Sequence, residues 1–260
     1  MTIPLLDRRE LEARLDVLLT AHPGGALVFD ADGTLWSHDV GHAVFEAACL
    51  ENALHADATH ALIADAARFG IEVPVGSSLE QIADILLLAY RDGRYPEKDA
   101  AEMQVWIYVG QTEAQVREFA RRTLVRSAHA KGVHEEVLAL AAWARSRGAM
   151  TAVVSASPRW VVEEAVRDLG FPLEWVAGGI PNEVDGLVCP GMREPLPYGP
   201  TKVTAARALL GDRAWLASFG DSGFDLDMLA AAQLAVGIGE NSALTTGLRA
   251  LPHGVRFARP

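Results

Sequence analysis

Asp30 and Asp32 stand two positions apart in FDADGTLW, residues 29 to 36, directly after the apolar run ALVF and directly before a glycine. An extended strand repeats every two residues, so both carboxylates point the same way where the strand gives out. Crowding two like charges there is costly unless a cation or a reaction uses them. Three more polar residues fall at element ends downstream: Ser155 in VVSASP, Lys202 after Gly199-Pro200-Thr201, and Asp221 in FGDSGFD. Any one of them alone reads as a helix cap or turn former. In an open parallel sheet the carboxyl ends of the strands converge on one crevice, and there the set can meet.

The elements that would position these residues follow from periodicity. Residues 1 to 25 interleave acids and arginines with leucines at helical spacing, and Gly24-Gly25 ends that pattern before the strand ALVF. From about Val40 to Ser127 the pattern is helical throughout, clearest in EQIADILLLAYRDG, KDAAEMQVWIYVG and TEAQVREFARRTLVRS. Helices and strands then alternate: VHEEVLALAAWARSRG leads into AMTAVVSAS, and PRWVVEEAVRDLG precedes LEWVAGG. A hairpin is expected around Asp185-Gly186, then TKVTAARALLG as helix, AWLASFGD as strand, FDLDMLAAA as helix and QLAVGIG as strand. Alternation of this kind implies an α/β fold with a three-layer, Rossmann-like parallel-sheet core and right-handed crossovers. The helical block is expected as an inserted cap, residues 37 to 128, within a core of residues 1 to 36 and 129 to 260.

Composition bounds the function classes. With 260 residues, 50% of them hydrophobic and 22% charged, the chain can bury a sizeable core and shows no low-complexity tract. A formal net charge of −11 disfavours a nucleic-acid partner, although a local cation or metal can still hold a small phosphorylated ligand. Cys49 and Cys189 lie far apart and read as reduced core thiols. The start lacks the apolar block of a signal peptide and no stretch is long enough to span a bilayer, so no membrane partner and a cytoplasmic location are expected.

The four segments DADGT at 30 to 34, Ser155, Lys202 and GDSGFD at 220 to 225 resemble, in order and spacing, the motifs of the haloacid dehalogenase-like hydrolase superfamily. SASP followed by a helix, with the helical block between the first two motifs, looks like the phosphoserine-phosphatase branch. The resemblance implies aspartyl-phosphate chemistry with Mg²⁺ on a small phosphorylated metabolite. A carboxylate is already ionised at neutral pH, so Asp30 can attack phosphorus without a base, and Asp32 can protonate the leaving oxygen and then deprotonate water. Asp30, Asp221 and the main-chain carbonyl of Asp32 would ligate the metal, with Asp225 outside them orienting Lys202 or a metal-bound water. Thr34 and Ser155 would hold phosphoryl oxygens, and Lys202 would offset their charge. By the same resemblance, dehalogenases lack the second acid, because a halide leaves unprotonated; Asp32 therefore points to a phosphomonoesterase. A phosphotransferase would use the same residues, and a phospho-aspartate signalling or scaffold protein is the alternative from another class.

Beyond these motifs, Asp39 falls where that branch uses a glutamate for the substrate amine, and with the aromatic face of Trp36 it would suit an ammonium group. Phe224 stands where that branch commonly has asparagine, and Gln104, with Glu102 nearby, where it has an arginine for the substrate carboxylate. His38 and His42 have the spacing of a zinc helix but no third ligand, and zinc is not expected. Arg121, Arg122 and Arg126 read as a solvated helix face, and Met103, Trp106 and Tyr108 as core.

Overall fold

Parallel sheets covered on both faces are built from short, almost wholly apolar strands, and ALVF is one of them: all four residues are buried. The computed structural model describes residues 3–258. Its strands are β1 (Leu5–Leu6), β2 (Ala26–Phe29), β3 (Met150–Pro158), β4 (Val176–Gly179), β5 (Pro181–Val184), β6 (Leu187–Met192), β7 (Trp215–Gly220), β8 (Leu234–Ile238) and β9 (Gly254–Phe257). Seven of them form one sheet, ordered β1-β9-β8-β7-β2-β3-β4, with every pairing parallel. The chain leaves β2 for β3 on one side and returns to β7 on the other, which makes the end of β2 a switch point of the sheet.

Three layers follow from the period-two alternation of β2. Leu27 and Phe29 face the cluster built with α1 (Arg8–Ala21), α7 (Glu135–Ser146) and α8 (Arg159–Val166). Ala26 and Val28 face the other cluster, built with α9 (Thr201–Leu210) and α10 (Leu226–Ala230). Phe29 stacks on Phe219 of β7 with centroids 4.3 Å apart, tying the two strands on which the site depends. The first helix starts where its sequence says it should, at a capping box in which Asp7 and Glu10 bond each other's backbone N–H.

Between β2 and α7 the chain forms α2 (Val40–Leu50), α3 (Ala58–Arg68), α4 (Leu79–Arg91), α5 (Glu97–Trp106) and α6 (Glu113–Arg126), with no strand among them. This insert shares its core with the sheet layer: Phe45, Leu62, Ile82 and Leu86 belong to the same buried cluster as Phe29. Met103, Trp106 and Tyr108 are buried there too. The β5–β6 hairpin turns at Asp185 (φ 51°) and Gly186 (φ 77°), the left-handed pair of a two-residue hairpin loop. It reaches the insert through Gly110 N–H to Val188 O (3.0 Å) and Val188 N–H to Gln111 O (2.9 Å). The last helix is α11 (Ser242–Leu248), and among the described residues no helix is long and apolar enough to cross a membrane.

Three expectations need correction. The edge strand β1 and its neighbour β9 were not anticipated; their pairing joins segments near the two ends of the chain, a contact with no local sequence signal. Cys49 and Cys189 are both free; Cys49 is half-buried and packed against the core, whereas Cys189 lies on the hairpin and is not a core thiol. The arginines at the end of the insert are ion-paired rather than simply solvated. Arg126 bonds Glu51, and Arg121 bonds Glu164 of α8 at 3.0 Å.

Glu164 anchors the insert to the core. Its side chain is fully buried and accepts from Arg117 and Arg121 of α6 and from Arg167 at 2.9 Å, while its neighbour Glu163 pairs with Arg117 and Arg159. Burial alone would raise the Glu164 pKa, yet the bonds and charges of Arg167 and Arg121 hold it below the usual carboxylate value. Removing one side of such a pair leaves buried charge uncompensated. Glu164→Ala is therefore expected to lower stability by about 2–3 kcal/mol and Tm by about 4–12 °C. Calorimetry decides; a change below about 1 °C would mean apolar packing alone joins α6 to α8.

Candidate active site

The site begins where β2 ends. Asp30 donates its backbone N–H to Phe219 O of β7 (2.9 Å), and the chain then turns tightly, with Leu35 N–H returning to Ala31 O (2.8 Å). Gly33 has φ 81°, and a side-chain Cβ there would lie 2.2 Å from Asp221 Oδ2. Only glycine permits both that backbone and that approach. Because β7, β2 and β3 are adjacent, Asp221, Asp30, Asp32 and Ser155 meet at one end of the sheet, and the first turn of α9 adds Lys202. Asp30, Asp32, Asp39, Ser155, Lys202 and Asp221 all line one cavity of about 610 Å³.

Lys202 is buried, and its Nζ donates to Asp30 Oδ1 and to Asp225 Oδ1, each at 2.6 Å. Burial would lower its pKa, but the charges of Asp225 and Asp30 raise it well beyond the ordinary value, so it is a permanent cation. Asp225 lies behind the cavity and is fully buried. Its Oδ2 accepts from the N–H groups of Asp221 (3.1 Å) and Ser222 (3.0 Å) and from Ser222 Oγ (2.9 Å). Both of its oxygens are therefore engaged in holding Lys202 and the Asp221 loop. Gly220 makes room for it, since a Cβ there would sit 2.5 Å from Asp225 Cβ.

Asp32 has a different environment. Its Oδ1 accepts from Trp36 Nε1 (2.7 Å) and from the N–H of Val40 (2.8 Å), the first residue of α2; its Oδ2 accepts from Ser157 Oγ (2.7 Å) and Ser155 Oγ (3.2 Å). Burial, and then the charge of Asp39, push its pKa up to about 6, against the pull of these hydrogen bonds. Asp30 is raised well above the ordinary carboxylate value by burial and by Asp225, with Lys202 opposing. Asp221 is pushed up to about 6 by the same two causes.

Four carboxylates thus face one lysine. Oxygens of Asp30, Asp221 and Asp225 lie within 4.8 Å of one another, a hard donor set of the kind a divalent cation takes. The pKa values of Asp30 and Asp221 are raised first by burial and then by the neighbouring carboxylates. With both Asp225 oxygens engaged, Asp30 and Asp221 are the carboxylates left to face an ion.

Two expected contacts are not where the sequence suggested. Trp36 is fully buried and does not line the cavity: it bonds Asp32 from behind, and its ring packs on His129 with centroids 4.8 Å apart. Thr34 is also fully buried and off the cavity surface; its carbonyl accepts from His134 Nδ1 (2.8 Å), and its hydroxyl has no partner. The turn at Gly33 reverses the chain and carries both side chains behind the wall. Asp39 both lines the cavity and caps α2, accepting from His42 N–H at 2.7 Å. Ser157, which the sequence reading missed, lines the cavity and bonds Asp32. The signal was present, since Ser157 follows Ser155 by two, the spacing that links Asp30 to Asp32. Gln104 and Phe224 reach the cavity, whereas Glu102 bonds Lys98. His38 is turned to His129, with Nε2 to Nδ1 at 2.8 Å, and His42 to Glu46 at 3.1 Å.

The family model for haloacid dehalogenase-like hydrolases matches residues 27–230, from within β2 to the end of α10. The chain belongs to that family. No curated protein matches it. Among solved structures it is similar to a protein of unknown function from Bordetella pertussis Tohama I, with 17% identity and TM-score 0.66, covering 89% of this chain and 96% of that one. It is also similar to a substrate-bound phosphoserine phosphatase, with 13% identity and TM-score 0.53, covering 90% and 93%. A third likeness is to a cytosolic 5′-nucleotidase IIIB bound to cytidine, with 16% identity and TM-score 0.53, covering 88% and 77%. At these identities the likenesses establish the fold.

A charge forced into such a site destabilises the folded chain. For Asp221, pushed up from 3.8 to about 6, the cost is full above the folded value and fades as pH falls toward the unfolded value. In chelator at pH 7.5, Asp221→Asn is expected to be more stable than the wild type by about 1–2 kcal/mol, raising Tm by about 2–6 °C. At pH 5 the gain shrinks to about half. A gain that grows on acidification, or a loss at both pH values, would contradict the charge account.

Proposed function

We propose that the protein is a divalent-metal-dependent phosphomonoesterase acting on a small phosphorylated metabolite through an aspartyl-phosphate on Asp30. The observation that carries this reading is the contrast between two carboxylates at one cavity wall. Burial raises both acids, but Asp30 is paired with the buried ammonium of Lys202, which favours its ionised form, while Asp32 is held by neutral donors. A carboxylate beside a fixed cation suits a nucleophile, and one held by neutral donors suits an acid–base partner. Family membership and the fold likeness to phosphoserine phosphatase support the same chemistry.

Lys202 fixes Asp30 Oδ1, which leaves the second carboxylate oxygen to attack phosphorus. As that bond forms, the bond to the leaving oxygen breaks, and Asp32 gives that oxygen its proton. Asp32 then takes a proton from water, whose oxygen attacks phosphorus and displaces Asp30, regenerating both carboxyl groups. Ser155 and Ser157 orient Asp32 by donating their hydroxyl protons to its Oδ2. Asp225 keeps Lys202 in place and its charge available. A Mg²⁺ held by Asp30, Asp221 and the main-chain carbonyl of Asp32 would neutralise phosphoryl charge, so that an anion can meet an anion.

Three outcomes are expected. Chelation abolishes hydrolysis of p-nitrophenyl phosphate and Mg²⁺ restores it, whereas undiminished turnover by metal-stripped protein would rule out the metal. Asp30→Asn, checked for reversion by deamidation, loses turnover by more than about a thousandfold; retention of a tenth of the wild-type rate would exclude it as nucleophile. Asp32→Asn slows phosphorylation by alkyl phosphates at least about tenfold more than by p-nitrophenyl phosphate, whose phenolate needs little protonation. Equal losses in the pre-steady-state burst would assign Asp32 a structural role.

A further inference from the structure

The leaving group must occupy the cavity beyond the phosphoryl site, and the cavity lining also includes aromatic rings and further carboxylates. Tyr90 from α4, Tyr198 before α9 and Phe224 after β7 face the space, with Tyr198 and Phe224 packed at 4.5 Å between centroids. Two carboxylates join them: Asp39 at the start of α2 and Glu97 at the start of α5. Among the described residues neither forms an ion pair. This distinguishes them from the paired acids Glu163 and Glu164 at the α6–α8 contact.

Glu97 stands close enough to both rings to act on their hydroxyls. Burial and then the charges of Glu97 and Asp39 raise the Tyr90 pKa, and burial and then Glu97 raise that of Tyr198, with Lys202 opposing. Burial raises the pKa of Glu97 itself, with no cation opposing it. Lys202 is the only lysine or arginine among the residues lining the cavity, and it is committed to Asp30 and Asp225. The two lining histidines are turned to His129 and Glu46.

We propose that this end of the cavity is a cation subsite selecting a phosphomonoester whose leaving group carries an ammonium or trimethylammonium and no carboxylate, with Tyr90, Tyr198, Phe224, Glu97 and Asp39 as its walls. Aromatic faces attract such a cation through their quadrupoles, and two uncompensated carboxylates complete the attraction. The same charges repel a substrate carboxylate, for which the cavity supplies Gln104 and no guanidinium. Phosphoserine is therefore disfavoured against phosphocholine and phosphoethanolamine. The rings alone could also stack a nucleobase, but a neutral base makes no use of Glu97 or Asp39. The subsite takes the part that the buried Trp36 cannot.

The inference rests on the phosphomonoesterase reading for its chemistry, and its test separates the two. Phosphocholine is compared with its neutral carbon isostere, 3,3-dimethylbutyl phosphate, and with phosphoserine and cytidine 5′-monophosphate. Wild-type kcat/KM is expected to favour phosphocholine over the isostere by about tenfold or more. Glu97→Gln and Tyr90→Leu should each lower that ratio by about threefold or more, which general damage to the site would not do. A wild-type ratio near one, or a preference for phosphoserine or the nucleotide, overturns the proposal. In parallel, titration calorimetry of phosphocholine and its isostere on Asp30→Asn reads binding without turnover. Tighter binding of phosphocholine there, with no phosphoester hydrolysed by the wild type, would uphold the subsite while overturning the phosphatase reading. Equal binding would overturn the subsite.

Discussion

Lys202 reaches into the end of the sheet and stands between two carboxylates, 2.6 Å from each, with almost no solvent around it. Ions in such a place lose most of their hydration, and only mutual pairing with further hydrogen bonds makes the arrangement tolerable. The structure supplies those bonds from the loop after β7, where backbone N–H groups and Ser222 fill the second oxygen of Asp225. The loop can take that path because Gly220 and Gly33 leave space where any side chain would collide. The placement of Asp30, Asp221 and the first turn of α9 thus follows from one buried ammonium.

The two aspartates of the opening motif are separated by environment rather than by distance along the chain. Asp30 continues β2 into the charged cluster. Asp32, two residues on, is taken by the N-terminus of α2, an indole and two serine hydroxyls. The first helix of the insert therefore helps to hold the second acid while Asp39, its cap, looks into the leaving-group space. Glu164 and its arginines fix α6 of the insert against α8 of the core. The lining of the cavity and the attachment of the insert are consequently parts of one packed body, as the shared apolar cluster also shows.

The parallel sheet and the central cluster were legible because strand ends carry period-two polar signals, and because strands alternating with helices imply parallel pairing. Asp30, Asp32, Ser155, Lys202 and Asp221 line one cavity as expected. Residues just beyond the turn were harder. Thr34 and Trp36 are neighbours of the motif in sequence but lie behind it, because the positive φ of Gly33 redirects the chain. The insert was legible only as helices. Tyr90 and Glu97 look like ordinary surface positions of α4 and α5, and the rotation of those helices about their axes is fixed by packing against each other and the core. The edge strand β1 and its neighbour β9 are short, and their pairing joins distant parts of the chain, which no local pattern records.

The central claim is that Asp30 becomes transiently phosphorylated. Rapid acid quench of enzyme turning over a phosphomonoester with Mg²⁺, followed by borohydride reduction and peptide mass spectrometry, reads it directly, since an acyl phosphate is reduced to the alcohol while a free carboxylate is not. The account predicts homoserine at position 30 in a fraction of the chains, dependent on substrate and absent with chelator. Unmodified Asp30 in a sample quenched during verified turnover, or homoserine at position 32 or 221 instead, would contradict it.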